Sequence, residues 1–208
     1  MLSRILSLLI GYLFGCFLTA EVVARKFAGK PASELGETGN PGMANIMASL
    51  GFWPGIITLL GDLVKCLAAM TLSYVLFHKS GWIITMYAGL GCTLGHDFPF
   101  WRGFRGGKGV ATSSTVIVIN DFLWGLLANV AGMLVTFTTQ YLCIAGPVIP
   151  LFFTLFMFIQ GDVEAGILSI VFSLLALYCH SPSILGVFSG KTSKTDVLGA
   201  LLKKSKKR

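Results

Sequence analysis

The amino-acid sequence predicts an all-α integral membrane protein, a compact bundle of about seven transmembrane helices, some of them short. Hydrophobic residues make up 54% of its 208 residues and charged residues only 12%, whereas soluble domains carry about 25% charged residues. The apolar runs are interrupted by Gly and Pro and show no alternation with a period of two, which favours helices over a membrane β-barrel. This composition excludes an ordinary soluble domain.

Seven apolar runs are candidates for membrane helices. They cover residues 3–23, 53–77, 82–95, 109–120, 121–139, 142–160 and 163–179. A full span needs about 20 residues, so short runs are expected where helices are broken or line a site. Only Asn120 and Asp121 separate the fourth run from the fifth, and fusion of these two runs would leave six. We expect one polytopic membrane domain over residues 1–202 and a polybasic tail at 203–208.

The Lys and Arg residues orient the bundle, because the cytoplasmic loops of membrane proteins carry an excess of positive charge. With seven spans, all of them fall on one side except Arg4, Lys79 and Lys65, of which Lys65 lies inside a span. This arrangement places the C-terminus and the segments 24–52 and 96–108 in the cytoplasm. It also favours seven spans over six, since six would move the later loops to the opposite side.

The most unusual segment is "GHDFPFWRGFRGGKGVATSS", residues 95–114, which we call loop two. Gly106, Gly107 and Gly109 allow the backbone to adopt positive φ angles and to approach a ligand closely. Successive N–H groups in such a turn form a concave site, or nest, that binds anions. The spacing differs from that of a Walker A loop, because Lys108 is followed by Gly109 rather than by Ser or Thr.

A helix is predicted to begin at Val110, directly after these glycines. Its N-terminus would add a partial positive charge, Lys108 a full charge, and Thr112 and Ser113 two hydroxyl groups. Together these groups predict a phosphate-binding site. The alternative is a positively charged cytoplasmic loop with glycine hinges.

A second glycine-rich segment, "ELGETGNPGMANIMASLG", covers residues 34–51 and is called loop one here. It offers backbone, hydroxyl and amide groups at Thr38, Gly39, Asn40, Gly42 and Asn45. Considered alone, it is typical of a polar reverse turn.

Two histidines and one charged pair lie inside or at the ends of the apolar runs. His96 and His180 lie at predicted cytoplasmic ends, where a histidine serves as a general base, a phosphate donor or a satisfied interface residue. Neither has a second ligand at position i+3 or i+4, so no metal site is predicted. Asp62 and Lys65 share one face of a helix within the membrane, where charges should face protein and pair. They form either a structural lock or the wall of a site.

These motifs together resemble the membrane-embedded acyl-phosphate:glycerol-3-phosphate acyltransferases of bacteria, the PlsY family, over almost the whole chain. The matching positions are "GH-F-P" at Gly95, His96, Phe98 and Pro99, "F-GGKGVAT" at 104 and 106–112, "GN-G--N" at Gly39, Asn40, Gly42 and Asn45, "D--K" at Asp62 and Lys65, and "Y-H" at Tyr178 and His180.

The resemblance implies that the protein lies in the bacterial inner membrane, with its active site at the cytoplasmic face. There it would move a fatty acyl group from acyl phosphate to the sn-1 hydroxyl of glycerol 3-phosphate. The products would be lysophosphatidic acid and phosphate, with neither a metal nor coenzyme A as cofactor. The implied catalytic residues are His180, Thr38 and Lys108. The implied substrate-binding residues are Gly39, Asn40, Gly42, Asn45, His96, Gly106, Gly107, Gly109, Thr112 and Ser183.

The chain departs from the family pattern at several polar positions. Thr38 stands where the family has Ser, and Ser183 stands where it has Asn. Apolar or uncharged residues replace a Thr, two Arg and an acidic residue at Ala44, Ala48, Cys179 and Thr192. Two alternatives to the parent activity therefore follow: a weakened relative that binds acyl phosphate or lipid phosphate as a sensor or partner subunit, or an acyltransferase with another acceptor. A small transporter component is a third reading, which the retained glycines, Lys108 and histidines disfavour.

Overall fold

A computed structural model of the chain describes residues 1–36 and 38–194, and the predicted polybasic tail lies outside these residues. The described residues form nine α-helices, separated by loops and three short 3-10 turns. The helices are α1 (Leu2–Gly15), α2 (Thr19–Ala28), α3 (Met43–Leu50), α4 (Phe52–Phe77), α5 (Ile84–Asp97), α6 (Val110–Asn120), α7 (Phe122–Thr139), α8 (Leu142–Ile159) and α9 (Val163–Phe188). The predicted fold class, an all-α membrane protein, is confirmed.

Within the residues that the structure describes, five stretches are long and apolar enough to cross a membrane. They are Leu2–Ala28, Phe52–Ser80, Phe122–Thr139, Leu142–Ile159 and Val163–Phe188. The helices α5 and α6 have only 14 and 11 residues, so they account for the short spans that the sequence predicts. Asp121 adopts an extended conformation between α6 and α7, so the fourth and fifth apolar runs form two helices rather than one.

Two predicted boundaries are wrong. The first apolar run is not one helix to residue 23, because α1 ends at Gly15 and Leu18 is extended before α2 begins. The break leaves the carbonyl groups of Gly15 and Phe17 to accept hydrogen bonds from the Lys65 ammonium. The last helix runs past residue 179 to Phe188 and includes Pro182. A proline removes only one backbone N–H, which a membrane helix tolerates.

The chain divides into two compact units. The first is Met1–Phe122 and contains α1 to α6 with loops one and two, and the second begins at Leu123. Within the second unit, α8 and α9 pack against each other. Trp124 of α7 stacks on Phe156 of α8, with 3.7 Å between the ring centroids.

In the first unit, α1 and α5 pack with their backbones in direct contact. A Cβ atom on Gly11 or Gly15 of α1 would overlap the carbonyl oxygens of Ala88 or Cys92. Conversely, Cβ atoms at two glycines of α5 would overlap carbonyl oxygens of α1. The pairs are Gly91 with Leu8 and Gly95 with Tyr12. Small residues four apart on both helices permit this approach, as is common between membrane helices.

Residue numbers increase together along this interface, so α1 and α5 are parallel. The helix α4 runs the other way, since Lys65 reaches the end of α1 while Ser80, just past α4, bonds to Ser3 at the start of α1. Loop one precedes α4 and loop two follows α5, so both loops emerge at the same end of the first unit. This shared end is where the candidate site forms.

We predict that Gly91→Ala destabilises the protein, because the new methyl group would meet the backbone of α1 rather than a movable side chain. Overpacking of this kind costs about 1–3 kcal/mol. The matched control is Gly166→Ala, whose methyl group would meet only the ring of Phe158 at 2.8 Å, and Phe158 is a residue that is 42% exposed. Thermal unfolding in detergent compares the two variants. Equal melting temperatures would contradict the close-contact interface.

Candidate active site

The backbone of loop two folds back onto the end of α5. The N–H of Gly106 donates to the carbonyl of Asp97, and the N–H of Gly107 donates to the carbonyl of His96, each at 2.9 Å. Both N–H groups are therefore used within the loop, which corrects the expectation that they form an anion-binding nest. The two glycines are needed here for close approach, because a Cβ atom on Gly106 would overlap the carbonyl oxygen of His96, and one on Gly107 would overlap its ring.

The helix α6 begins at Val110, as predicted, and Gly109 caps it with φ of 64°. This left-handed conformation suits glycine, and a Cβ atom there would lie 2.6 Å from Thr93 Cγ2 and 2.9 Å from Asp97 Oδ2. The first N–H groups of α6 have no acceptor within the helix and carry its partial positive charge. Lys108 is half-buried next to them. The cationic part of the predicted cradle is therefore the start of α6 with Lys108.

Two predicted hydroxyl donors of this cradle have packing contacts instead. Thr112 is fully buried, and its hydroxyl bonds to Thr93 Oγ1 at 3.0 Å and to the carbonyl of Gly109 at 3.0 Å. The hydroxyl of Ser113 donates to the carbonyl of Val110 at 3.2 Å. The structure thus gives Thr112 a role between α5 and α6, where the sequence predicts phosphate binding.

Loop one is braced by its own side chains. Thr38 Oγ1 donates to Asn45 Oδ1 at 3.3 Å and accepts the N–H of Asn40 at 3.3 Å. The amide nitrogen of Asn45 donates to the carbonyl of Leu35 at 2.9 Å. Thr38, Asn40 and Asn45 are therefore brought together as predicted, with Asn45 buried and Thr38 exposed.

The two predicted glycines of loop one shape its turn. Gly39 has φ of 57°, and a Cβ atom there would lie 2.6 Å from the carbonyl oxygen of Ser33. Gly42 is extended, donates its N–H to the carbonyl of Asn40 at 2.8 Å, and precedes the first residue of α3. These glycines set the path of the backbone around Asn40.

A buried ionic cluster lies where α1, α4 and α5 meet. Lys65 Nζ lies 2.9 Å from Asp62 Oδ1 and 2.8 Å from His96 Nδ1. It also contacts the carbonyl oxygens of Phe17 at 2.8 Å and Gly15 at 3.3 Å. The prediction that Asp62 and Lys65 pair is confirmed, and His96 joins them.

Sequence reasoning missed a second buried carboxylate, Glu21 of α2. Its oxygens accept the N–H of Ala32 at 3.1 Å and Nε of Arg25 at 3.1 Å, and Arg102 Nη2 lies 3.8 Å away. Glu21 therefore joins the residues just before loop one to loop two. The sequence feature that could have identified Glu21 is its position as an acidic residue inside an apolar run. Such a residue in a membrane protein usually has a cationic partner.

The remaining predicted residues belong to the second unit. His180 of α9 is 3% exposed, and its Nδ1 lies 2.9 Å from the carbonyl oxygen of Ala176. Gly146 of α8 packs on this imidazole, since a Cβ atom there would lie 2.6 Å from His180 Cε1. Ser183 is half-buried one turn further along α9, and its carbonyl accepts the hydroxyl of Thr192 at 2.8 Å.

Comparisons with known proteins agree over nearly the whole chain. The sequence profile of a family described as glycerol-3-phosphate acyltransferase matches residues 5–190. A Lactobacillus acidophilus protein named glycerol-3-phosphate acyltransferase 1 is 41% identical over 203 residues, which are 98% of this chain and 97% of that protein. A Shouchella clausii glycerol-3-phosphate acyltransferase is 31% identical over 199 residues, covering 92% of this chain and 96% of that protein.

Solved structures show the same fold. The crystal structure of PlsY (YgiH), an integral membrane glycerol 3-phosphate acyltransferase, in its glycerol 3-phosphate form has a TM-score of 0.83 at 27% identity, covering 96% of this chain and 98% of the other. Its lysophosphatidic acid form has a TM-score of 0.82 at 25% identity, covering 96% and 99%.

We predict that Gly109→Ala disrupts the start of α6 more than Gly103→Ala disrupts loop two. Both glycines have nearly the same left-handed φ, 64° and 62°, so both variants carry a conformational cost of about 1–2 kcal/mol. A Cβ atom at Gly103 has nothing within 4 Å, whereas one at Gly109 meets Thr93 and Asp97, which adds about 1–3 kcal/mol. Thermal unfolding measures the difference, and equal losses would contradict the packing around Gly109.

Proposed function

Because the chain belongs to the glycerol-3-phosphate acyltransferase family, we propose that it transfers a fatty acyl group from acyl phosphate to the sn-1 hydroxyl of glycerol 3-phosphate. The acyl carbon–oxygen bond to phosphate breaks and a carboxylic ester bond forms at the sn-1 oxygen. That hydroxyl loses its proton, inorganic phosphate leaves, and lysophosphatidic acid is the other product. The observation that carries the proposal is the glycine-lysine turn leading into α6, at one end of an apolar helical unit.

The start of α6 is the proposed phosphate site. Its free N–H groups and the Lys108 ammonium attract an anion, and the glycines before it keep Cβ atoms out of the turn. The glycines at 106 and 107 have an indirect role in this site. They shape the backbone of the loop, while their own N–H groups are already hydrogen-bonded within it. Positive groups at this point would also stabilise the charge that develops on the departing phosphate.

His180 is the proposed general base. A carbonyl oxygen can only accept a hydrogen bond, so the contact to Ala176 places the hydrogen of His180 on Nδ1. Its Nε2 then carries the lone pair that a base needs to take the hydroxyl proton of the acceptor. Ser183 lies one helical turn away on α9 and is proposed to help orient the substrate.

Loop one is proposed to bind glycerol 3-phosphate. Thr38 and Asn40 lie beside each other on the turn that Gly39 and Gly42 shape, and Thr38 is exposed. Asn45 stabilises this turn through its side-chain amide, because its oxygen accepts a hydrogen bond from Thr38 and its nitrogen donates one to the carbonyl of Leu35. The loop contributes hydrogen-bonding groups without a cation of its own.

An acyltransferase with a different acceptor is the second candidate function. The residues Ala44 and Ala48 are both exposed and lie four apart on α3, the helix within loop one. They stand where the family's pattern has a hydroxyl and a guanidinium, and arginine provides a planar two-pronged contact to phosphate that alanine cannot provide. This loss favours weaker binding of glycerol 3-phosphate, and it is equally compatible with a relative that only senses acyl phosphate or lipid phosphate.

The proposed location is the bacterial inner membrane, with the C-terminus and both loops in the cytoplasm. The support is the concentration of Lys and Arg in the segments that flank one end of the apolar runs. Water-soluble glycerol 3-phosphate would then reach the site from the cytoplasm, while the acyl chain of the donor stays in the bilayer.

We predict that Lys108→Ala lowers acyl transfer from palmitoyl phosphate to glycerol 3-phosphate by about 10- to 100-fold. The reason is that a charged hydrogen bond to phosphate contributes about 1.5–3 kcal/mol. The matched control is Lys79→Ala, an exposed lysine in the 3-10 turn after α4. Phosphate release and ester formation by purified protein in nanodiscs measure both variants. Full activity in a correctly folded Lys108→Ala variant would overturn the phosphate site.

We predict that the double variant Ala44→Thr, Ala48→Arg increases the use of glycerol 3-phosphate, by about tenfold for each 1.4 kcal/mol of binding regained. Both side chains are exposed on one face of α3, so the fold should tolerate them. The positions can couple, and the double variant is therefore the informative one. If the double variant folds but shows no gain, glycerol 3-phosphate is not the acceptor. Wild-type protein is then tested with other hydroxyl acceptors and with water. Transfer to one of them indicates an altered acceptor, and no transfer indicates a lost activity.

A further inference from the structure

We propose that Lys65 and Asp62 are positioning residues that hold His96 as a neutral imidazole with its hydrogen on Nε2. In this state the ring is a hydrogen-bond donor directed at the glycine turn that precedes Lys108. This proposal deepens the proposed function, because the anion that such a donor would meet there is a substrate phosphate. The tautomer of His96 is a property of the protein alone and stands apart from the reaction.

The contacts of Lys65 determine which His96 nitrogen carries hydrogen. An ammonium group has three donors and no acceptor. Two oxygen atoms lie close to Lys65 Nζ, those of Phe17 at 2.8 Å and Asp62 at 2.9 Å, while the oxygen of Gly15 makes a longer contact at 3.3 Å. His96 Nδ1 lies at 2.8 Å from the same atom. This nitrogen therefore accepts a hydrogen bond from Lys65, and its hydrogen must be on Nε2.

A doubly protonated His96 does not fit the same geometry. Its Nδ1–H would point at the Lys65 ammonium, with two positive groups 2.8 Å apart in a buried position. The carboxylate of Asp62 lies 3.6 Å from Nδ1, too far for a hydrogen bond. Asp62 instead balances the charge of Lys65, and its Oδ1 also accepts from the hydroxyl of Thr19 at 3.4 Å. Lys65 is thus the cation of the cluster and His96 its neutral member.

The other edge of the His96 ring faces loop two. A Cβ atom on Gly107 would overlap His96 Nε2, so this nitrogen lies directly over the Gly107 backbone. The N–H of Gly107 also bonds to the carbonyl oxygen of His96. Backbone and ring together hold Nε2 beside the residue that precedes Lys108. The Lys65 contact therefore fixes both the rotation of the ring and the hydrogen it presents to this turn.

His96 and His180 have opposite tautomers in this arrangement. His180 has its hydrogen on Nδ1, where it donates to the carbonyl of Ala176, and His96 has its hydrogen on Nε2. The first leaves an accepting nitrogen, which suits a base, and the second leaves a donor, which suits an anionic oxygen. The difference follows from the partner of each Nδ1: a carbonyl oxygen for His180 and an ammonium for His96.

Nitrogen-15 NMR of histidine-labelled protein tests the proposal. The chain has three histidines, so His78→Gln and His180→Gln variants assign the His96 signals. We expect a hydrogen on Nε2 and an unprotonated Nδ1 for His96 in wild-type protein without substrate. A hydrogen on Nδ1, or on both nitrogens near neutral pH, would overturn the proposal directly, whether or not any variant at Lys65 folds.

A variant pair then tests the role of Lys65. The double variant Asp62→Asn, Lys65→Met removes both buried charges and avoids leaving one unpaired, and Lys79→Met is the matched control. We expect the double variant, and not the control, to lose the fixed Nε2–H tautomer of His96. An unchanged tautomer in the folded double variant would show that Lys65 does not position His96.

A third experiment tests whether His96 donates to an anion, with inorganic phosphate and glycerol 3-phosphate as probes. Both should shift the wild-type His96 Nε2 signal. We expect the double variant and His96→Ala each to lose about 10- to 100-fold in kcat/KM, with no further loss when the changes are combined. Additive losses, or no shift with either anion, would overturn the donor role. If the tautomer is as proposed but wild-type protein transfers no acyl group, the proposed function fails while the positioning of His96 stands.

Discussion

The polar end of the first unit depends on the buried ammonium of Lys65. It joins three helices, since its partners are the carbonyls that end α1, the carboxylate of Asp62 on α4 and the imidazole of His96 on α5. A lone charge at such depth is costly, and the cost is offset only when partners satisfy every donor. The break in α1 supplies two of those partners. The irregular path of residues 16–18 and the position of His96 are therefore parts of one arrangement.

The polar groups of this unit concentrate at helix ends, for a reason set by the membrane. Within an apolar environment the backbone must bond to itself, so only helix ends leave N–H and carbonyl groups for other uses. The end of α1 satisfies Lys65, the end of α5 closes loop two, and the start of α6 is the proposed site for an anion. Glycines at 106, 107 and 109 bring the last two ends together, because each leaves space that a side chain would fill.

The departures from the family pattern are unevenly distributed. Lys108, His96 and His180 keep their residue types, and two of them lie in or next to loop two. One lost hydroxyl position and one lost guanidinium position, Ala44 and Ala48, lie together on the exposed face of α3 within loop one. If loop two binds the phosphate of the donor and loop one that of the acceptor, these two changes concern the acceptor, whereas the changes at Cys179 and Ser183 lie on α9 near His180.

The all-α membrane class and the order of the apolar runs along the chain follow from the amino-acid sequence alone, because the length of an apolar run decides whether a helix can lie in a membrane. The sequence also identified the start of α6 after Gly109 and the pairing of Asp62 with Lys65, since both are local features within one helical turn. Only the tertiary structure decided that Lys65 contacts His96, that Glu21 joins Ala32 to Arg102 of loop two, and that the hydroxyl of Thr112 faces Thr93. Those contacts join different helices, and their geometry follows from how closely the helix backbones approach, which glycines such as Gly91 permit but no local pattern specifies.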